Sequence, residues 1–290
     1  MTDANSLYAA DSTVVDQAVG GLSPEERKEA HRYGTTSLVC TLADLAIDVV
    51  FLGVMAFLLA GPIDAWLADF SSLSAPLSML RLLALFAVIT LLHICVSLPL
   101  SFYSGYIVEH QFALSNQSLG RWVTNWLKRT GLAILFGGAM FAGLYWLIWH
   151  TGQYWWLIAA AVFFVVSVVL GQLAPVLLVP LFYKVERLDN PTLADRMKHL
   201  AEGTGLTIEG VYRLGLSADT KKANAALAGL GRTRRVLMGD TLLEEFTPDE
   251  IEVIFAHEIG HHVYRHITKM IATGVVTSLV GFWLCDRVLV

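Results

Sequence analysis

The chain has 290 residues, 55% of them apolar and only 16% charged, and its mean hydropathy of +0.58 requires several segments to lie in lipid. A net charge of −5 and a pI near 6.0 exclude the basic surface that nucleic acid demands, so no nucleic-acid partner is expected. Cys40, Cys95 and Cys285 fall inside apolar runs, neither spaced as ligands nor paired as disulfides, and read as packing residues.

In chain order, residues 1–37 read as a polar, partly helical cytosolic tail. It has no apolar signal segment, and Ser23-Pro24-Glu25-Glu26 has the form of a helix start. Four transmembrane helices are expected within residues 38–182. The first, Leu38 to Ala60, covers the roughly 30 Å of hydrocarbon and carries Asp44 and Asp48 on one face. Acids at such depth either face protein or water in a cavity, or snorkel to the interface; both readings stay open. A short loop from Gly61 to Pro76 precedes the second span, Leu77 to Leu98, which contains His93. The third and fourth, Leu132 to Trp149 and Tyr154 to Leu181, meet at a cluster of Trp146, Trp149, Tyr154, Trp155 and Trp156, the aromatic belt of a membrane interface. Lysine and arginine gather in the tail, in the loop after span two and beyond Lys184, which places all three on the cytosolic side.

Residues 183–269 are the one extended water-soluble stretch. A helix opens at Asn190-Pro191-Thr192, short strands are expected over Gly210 to Leu216 and Arg234 to Met238, and Ala223 to Gly229 reads as extended. Residues 270–290 begin a fifth apolar span. The fold class is therefore a mainly α multi-pass membrane protein with a small cytosolic α+β segment.

The chemistry sits in His257-Glu258-Ile259-Gly260-His261. Four residues advance a helix by about 6 Å and 40°, so His257 and His261 share a face and can share a zinc ion. Glu258 between them serves as general base. Thr247-Pro248-Asp249-Glu250 caps this helix with a capping box, and Arg265 and Lys269 are expected to complete its basic end. A straight helix would hold the metal about 13 Å above Met270, at the cytosolic membrane face.

Several further stretches resemble the integral-membrane CAAX prenyl endopeptidases. They are Phe102 to Phe112, Leu173 to Val176 with Pro180 to Lys184, Lys221 to Ala225, and Arg235 to Leu243. The resemblance runs from about residue 90 to 275. It implies zinc as cofactor, a prenylated or membrane-associated peptide as substrate, and Asn224 and Ala225 as substrate-gripping positions, with His266 at a place where the family has a cleft histidine. Where that family has Ser-His-Ser, this chain has Lys221-Lys222-Ala223. The family's third zinc ligand is a glutamate on a later helix, and no Glu follows Glu258. On a regular helix neither His262 nor His266 reaches the same ion, and Asp286 lies some 37 Å along it. The chain is thus expected to be an N-terminal portion, with that ligand outside it. The expected activity is zinc-dependent cleavage behind a prenylated cysteine. A membrane quality-control metalloprotease and a non-catalytic scaffold or metal carrier are the alternatives.

Overall fold

A computed structural model describes residues 23–70, 72–73, 78–229 and 234–289. Most of the tail expected over 1–37, and Pro76 of the first loop, lie outside these residues. Helix α1, Pro24–Val54, opens on a complete capping box in which the Ser23 hydroxyl and the Glu26 carboxylate each satisfy the other's backbone N–H. It then runs without a break past residue 37, so the polar residues from Pro24 onward are the first turns of the spanning helix rather than a separate tail. A π-helical turn, Met55–Leu59, joins it to α2, Ala60–Ala68. The chain is therefore helical where a loop was expected from Gly61. The reason is Pro62, whose ring would clash with the carbonyl four residues earlier in a regular helix; the wider π turn relieves that clash.

Helix α3, Met79–Phe102, is capped by Ser78 and tied to α2 by Arg81, whose guanidinium grips the Asp64 carboxylate and carbonyl. A second π turn, Tyr103–Val108, follows Pro99. Helix α4, Leu119–Thr151, is much longer than the span expected inside it. Gly152, at φ +53°, turns the chain back into α5, Trp155–Leu177. Leu147, Trp155 and Ala159 close the hairpin. Helix α9, His266–Leu289, lies along α5: Phe163 and Phe282 meet edge to face, and the Trp155 indole N–H donates to a buried Asp286 carboxylate at 2.9 Å. By length and composition four stretches of the described residues can cross a membrane, at 24–68, 79–111, 119–177 and 266–288, the third divided by the Gly152 turn.

Between α5 and α9 the chain builds a four-stranded sheet: β1 Val185–Arg187, β2 Gly210–Leu214, β3 Ala225–Ala228 and β4 Arg235–Gly239, in the order β1-β2-β4-β3. Strand β1 has no counterpart among the expected elements; three residues are too few for a period of two to show. Only β2 and β4 are parallel, and β3 forms an edge. Helices α6 (Pro191–Glu202, capped by Asn190), α7 (Asp240–Glu245) and α8 (Pro248–Val263) cover the sheet. Met197, Val236, Met238, Leu242 and Phe255 are fully buried between them. Burial of each such side chain is worth about 1.5–3 kcal/mol.

Candidate metal centre

Helix α8 carries the candidate centre on the face turned away from this core. Ile251, Phe255 and Ile259, four apart, form its buried ridge. His257 and His261 lie about 200° round from that ridge and are exposed, with Glu258 half-buried between them. The helix starts on a capping box of Thr247 and Glu250, and Arg196 of α6 holds it by ion pairs to Asp249 at 2.6 Å and to Glu252. Its rotation about its own axis is thus set from both sides of the first turn.

The two Nε2 atoms of His257 and His261 approach to 3.2 Å. Tetrahedral zinc with bonds of about 2.0–2.1 Å separates two nitrogen ligands by roughly 3.3 Å. Glu258 offers a carboxylate oxygen that lies within 4.8 Å of a ring nitrogen of each histidine. The donor set therefore fits a zinc ion held by two imidazoles beside a carboxylate that stays available as a base. Among the described residues this is the one cluster of His, Cys, Asp and Glu that could hold a metal.

Two expectations about the surroundings change. First, the helix does not continue straight to the membrane. Helix α8 ends at Val263, Arg265 takes φ +54°, and α9 starts afresh at His266. Arg265 therefore lies in the break just past the end of α8 and Lys269 falls in α9, so neither sits in the last turn of α8, and the straight-helix distances from His261 to Met270 and Asp286 do not apply. Second, the break brings His266 back onto His261, where the two Nδ1 atoms lie 2.8 Å apart. His266 contacts the ring edge opposite the His257-facing Nε2, so it does not join the same ligand set. His262 is half-buried, and burial, with a smaller contribution from Arg234, holds its pKa below the ordinary imidazole value.

Beside the helix, β3 has one edge without a strand partner among the described residues. The Asn224 carbonyl accepts from the Gly239 N–H at 2.8 Å, so that carbonyl is committed to the sheet while the Asn224 side chain is exposed. Alternation along an antiparallel pair then turns the backbone groups of Ala225 and Leu227 outward. The approach to this strand is anchored by Lys222, which donates to Tyr33 at 2.7 Å and to Glu109 at 2.8 Å. Burial alone would lower its pKa, but these partners hold it above the ordinary lysine value. Gly239 stands under the strand start: a Cβ there would lie 3.3 Å from the Asn224 carbonyl.

Cavities connect these parts. One of about 760 Å3 is lined by Glu258, His261, His266, Leu227 and Gln172. It shares Leu227, Gly229 and Met270 with an apolar crevice of about 390 Å3 between α5 and α9, lined also by Phe164, Gly171 and Gly274. The acids of span one face protein and a cavity: His93 Nε2 lies 2.8 Å from Asp48, and Asp44 lines a polar cavity with Ser37, Ser101 and Ser104.

Comparison with known proteins agrees with this architecture. The family profile described as the CAAX prenyl protease N-terminal region, with five membrane helices, matches residues 5–184; that of peptidase family M48 matches residues 187–290. An uncharacterized metalloprotease, YhfN, of Bacillus subtilis is 25% identical over 290 residues, covering 97% of this chain and 67% of that protein. CAAX prenyl protease 1 of Saccharomyces cerevisiae is 29% identical over 195 residues, 65% of this chain and 42% of that one. The crystal structure of Ste24p from S. mikatae superposes with a TM-score of 0.74 at 23% identity, covering 90% of this chain and 60% of that chain, and shows a shared fold. The chain therefore spans less than half the length of the yeast protease.

Proposed function

The chain belongs to the CAAX prenyl protease family, and from that premise we propose that it is a membrane zinc endopeptidase that removes the C-terminal tripeptide behind a prenylated cysteine. The observation that carries the reading is the pair of Nε2 atoms at 3.2 Å with Glu258 beside them, facing a cleft that runs into an apolar crevice between two membrane helices. A peptide at the cleft and a hydrocarbon chain in the crevice are the two halves of such a substrate. His257 and His261 would hold the ion, with their facing Nε2 atoms as donors. The third ligand of the family pattern, a glutamate, has no counterpart after Glu258 in this sequence.

When bound, zinc supplies the Lewis acidity that polarises the scissile carbonyl and lowers the pKa of an attacking water to about 7. Glu258 takes the proton from that water and delivers it to the leaving amine, which balances the hydrolysis without a net change in the carboxylate. The outward groups of Ala225 and Leu227 pair with the substrate backbone and hold it extended, and the exposed Asn224 amide adds a side-chain hydrogen bond at the same edge. The lysine and arginine distribution supports a catalytic segment on the cytosolic side.

The test is Glu258→Gln in the full-length protein. Turnover of a prenylated peptide falls by about 10²–10⁴-fold, while zinc content stays at the wild-type level because both imidazoles remain. Undiminished turnover removes Glu258 as the base. An unprenylated twin peptide cleaved equally well would point instead to a general membrane metalloprotease.

A further inference from the structure

The segment Val263 to His266 contains neither Gly nor Pro, yet the helix breaks there and Arg265 adopts φ +54°. A bulky residue held in the left-handed region is costly, and such positions cluster where a site needs them. A regular helix would carry His266 about 140° round and 7.5 Å beyond His261, out of contact. The break instead places the two rings 5.0 Å apart, with Nδ1 to Nδ1 at 2.8 Å. Tyr264 also stacks on His266, its ring 6.0 Å away and inclined by 23°. His266 thus contacts both Tyr264 and His261, and its contact with His261 is at the one nitrogen that the metal centre leaves unused.

We infer that His266 is a positioning residue for the centre: it accepts the Nδ1–H of His261 and thereby keeps the lone pair of His261 Nε2 free to bind zinc. The proton count allows this arrangement. One hydrogen occupies the contact between the two Nδ1 atoms. Placed on His261, it leaves Nε2 bare toward His257, and His266 carries its own hydrogen on Nε2. The reverse placement forces a proton onto the His261 nitrogen that lies 3.2 Å from His257 Nε2, where it blocks a ligand position. A ligating histidine is commonly fixed by a partner on its other nitrogen, and loss of that partner typically costs 10–100-fold in metal affinity. Here the partner is another imidazole, delivered by a strained turn five residues on. This inference rests on the zinc-centre reading above.

Zinc affinity of the full-length protein, measured by competition with a chromophoric chelator, tests it in wild type and three variants. His266→Ala should bind zinc about 10–100-fold more weakly. His266→Asn, whose Oδ1 can stand where Nδ1 does and accept the same hydrogen, should recover most of that loss. His257→Ala, which removes a ligand, should lose binding altogether. A packing role alone predicts no rescue by the smaller Asn, so failure of Asn to exceed Ala overturns the assignment, as does wild-type affinity in His266→Ala. If wild type binds no more zinc than His257→Ala, the zinc reading itself fails, and the positioning role with it. Nitrogen-15 shifts of the His261 ring give a readout independent of activity: Nδ1 protonated in wild type and in Asn, mixed tautomers in Ala.

Discussion

Replacing Asp219 by Ala should loosen the joint between the membrane helices and the catalytic segment. Asp219 is buried, and its carboxylate accepts from Gln117 at 3.1 Å, Asn125 at 3.3 Å and the Arg121 guanidinium. Its carbonyl also accepts from the Asn116 N–H at 3.2 Å, next to the bridge between Ser115 and Thr220. These contacts stitch the loop before α4 to the stretch leading into β3. Hydrogen bonds to a charged group are each worth about 1.5–3 kcal/mol, but the Arg121 side chain is 42% exposed, so water recovers much of its share. A net loss of about 2–4 kcal/mol remains, which is roughly 30- to 1,000-fold in the local opening equilibrium. Hydrogen exchange in bicelles reads this at the Asn116 and Lys221 amides, both bonded across the joint. Asp219→Asn, which keeps the shape and loses the charge, should fall between the two. If exchange at those amides rises less than about threefold in Asp219→Ala, the joint is held by something other than this carboxylate.

Asp240 is buried and would be pushed up by that burial, but hydrogen bonds from the Ser217 hydroxyl at 2.6 Å and from the backbone of Ser217, Leu216 and Thr241 outweigh it, so its pKa lies below the ordinary aspartate value. A depressed carboxylate contributes stability that is complete above the unfolded pKa of about 3.9 and disappears as pH falls through the folded value. Asp240→Asn should therefore be less stable than wild type at pH 6 in denaturant titrations, with the gap closing toward pH 3; a gap independent of pH contradicts this. Phe255→Ala, in the fully buried ridge under the two histidines, should cost about 3–5 kcal/mol in chemical denaturation. It should also weaken zinc binding, because α8 loses its seat; an unaffected midpoint would show that the helix is held from elsewhere. Gly239→Ala places a Cβ 2.8 Å from Leu216 Cδ1 and 3.3 Å from the Asn224 carbonyl, an overpacking cost of about 1–3 kcal/mol. Because the Asn224 carbonyl belongs to backbone that cannot swing aside, steady-state kinetics should show KM for the peptide rising more than kcat falls.

Much of the site was legible because its signals are local. The spacing of His257 and His261, the capping residues Ser23, Asn190 and Thr247, and the long apolar runs all express interactions within one or two helical turns. Such interactions leave a period or a cap in the chain itself. The π turns at Met55–Leu59 and Tyr103–Val108 were not legible: Pro62 and Pro99 read as breaks in the helix, whereas the chain stays helical through both. Strand β1 was not, being too short to carry a period and existing only because β2 lies beside it.

Tertiary structure alone decided who meets whom. Asp48 with His93, Asp286 with Trp155, Lys222 with Tyr33 and Glu109, and Asp219 with Arg121 join residues 45 to 189 positions apart, and no local pattern marks one acid as the partner of one base. The turn at Arg265 belongs to the same class. Composition at Val263 to His266 favours a continuing helix, and the break exists because α9 must run back along α5 while α8 stays on the sheet. Periodicity could therefore put two imidazoles on one face, but the return of His266 to the back of His261 depends on where two distant helices pack.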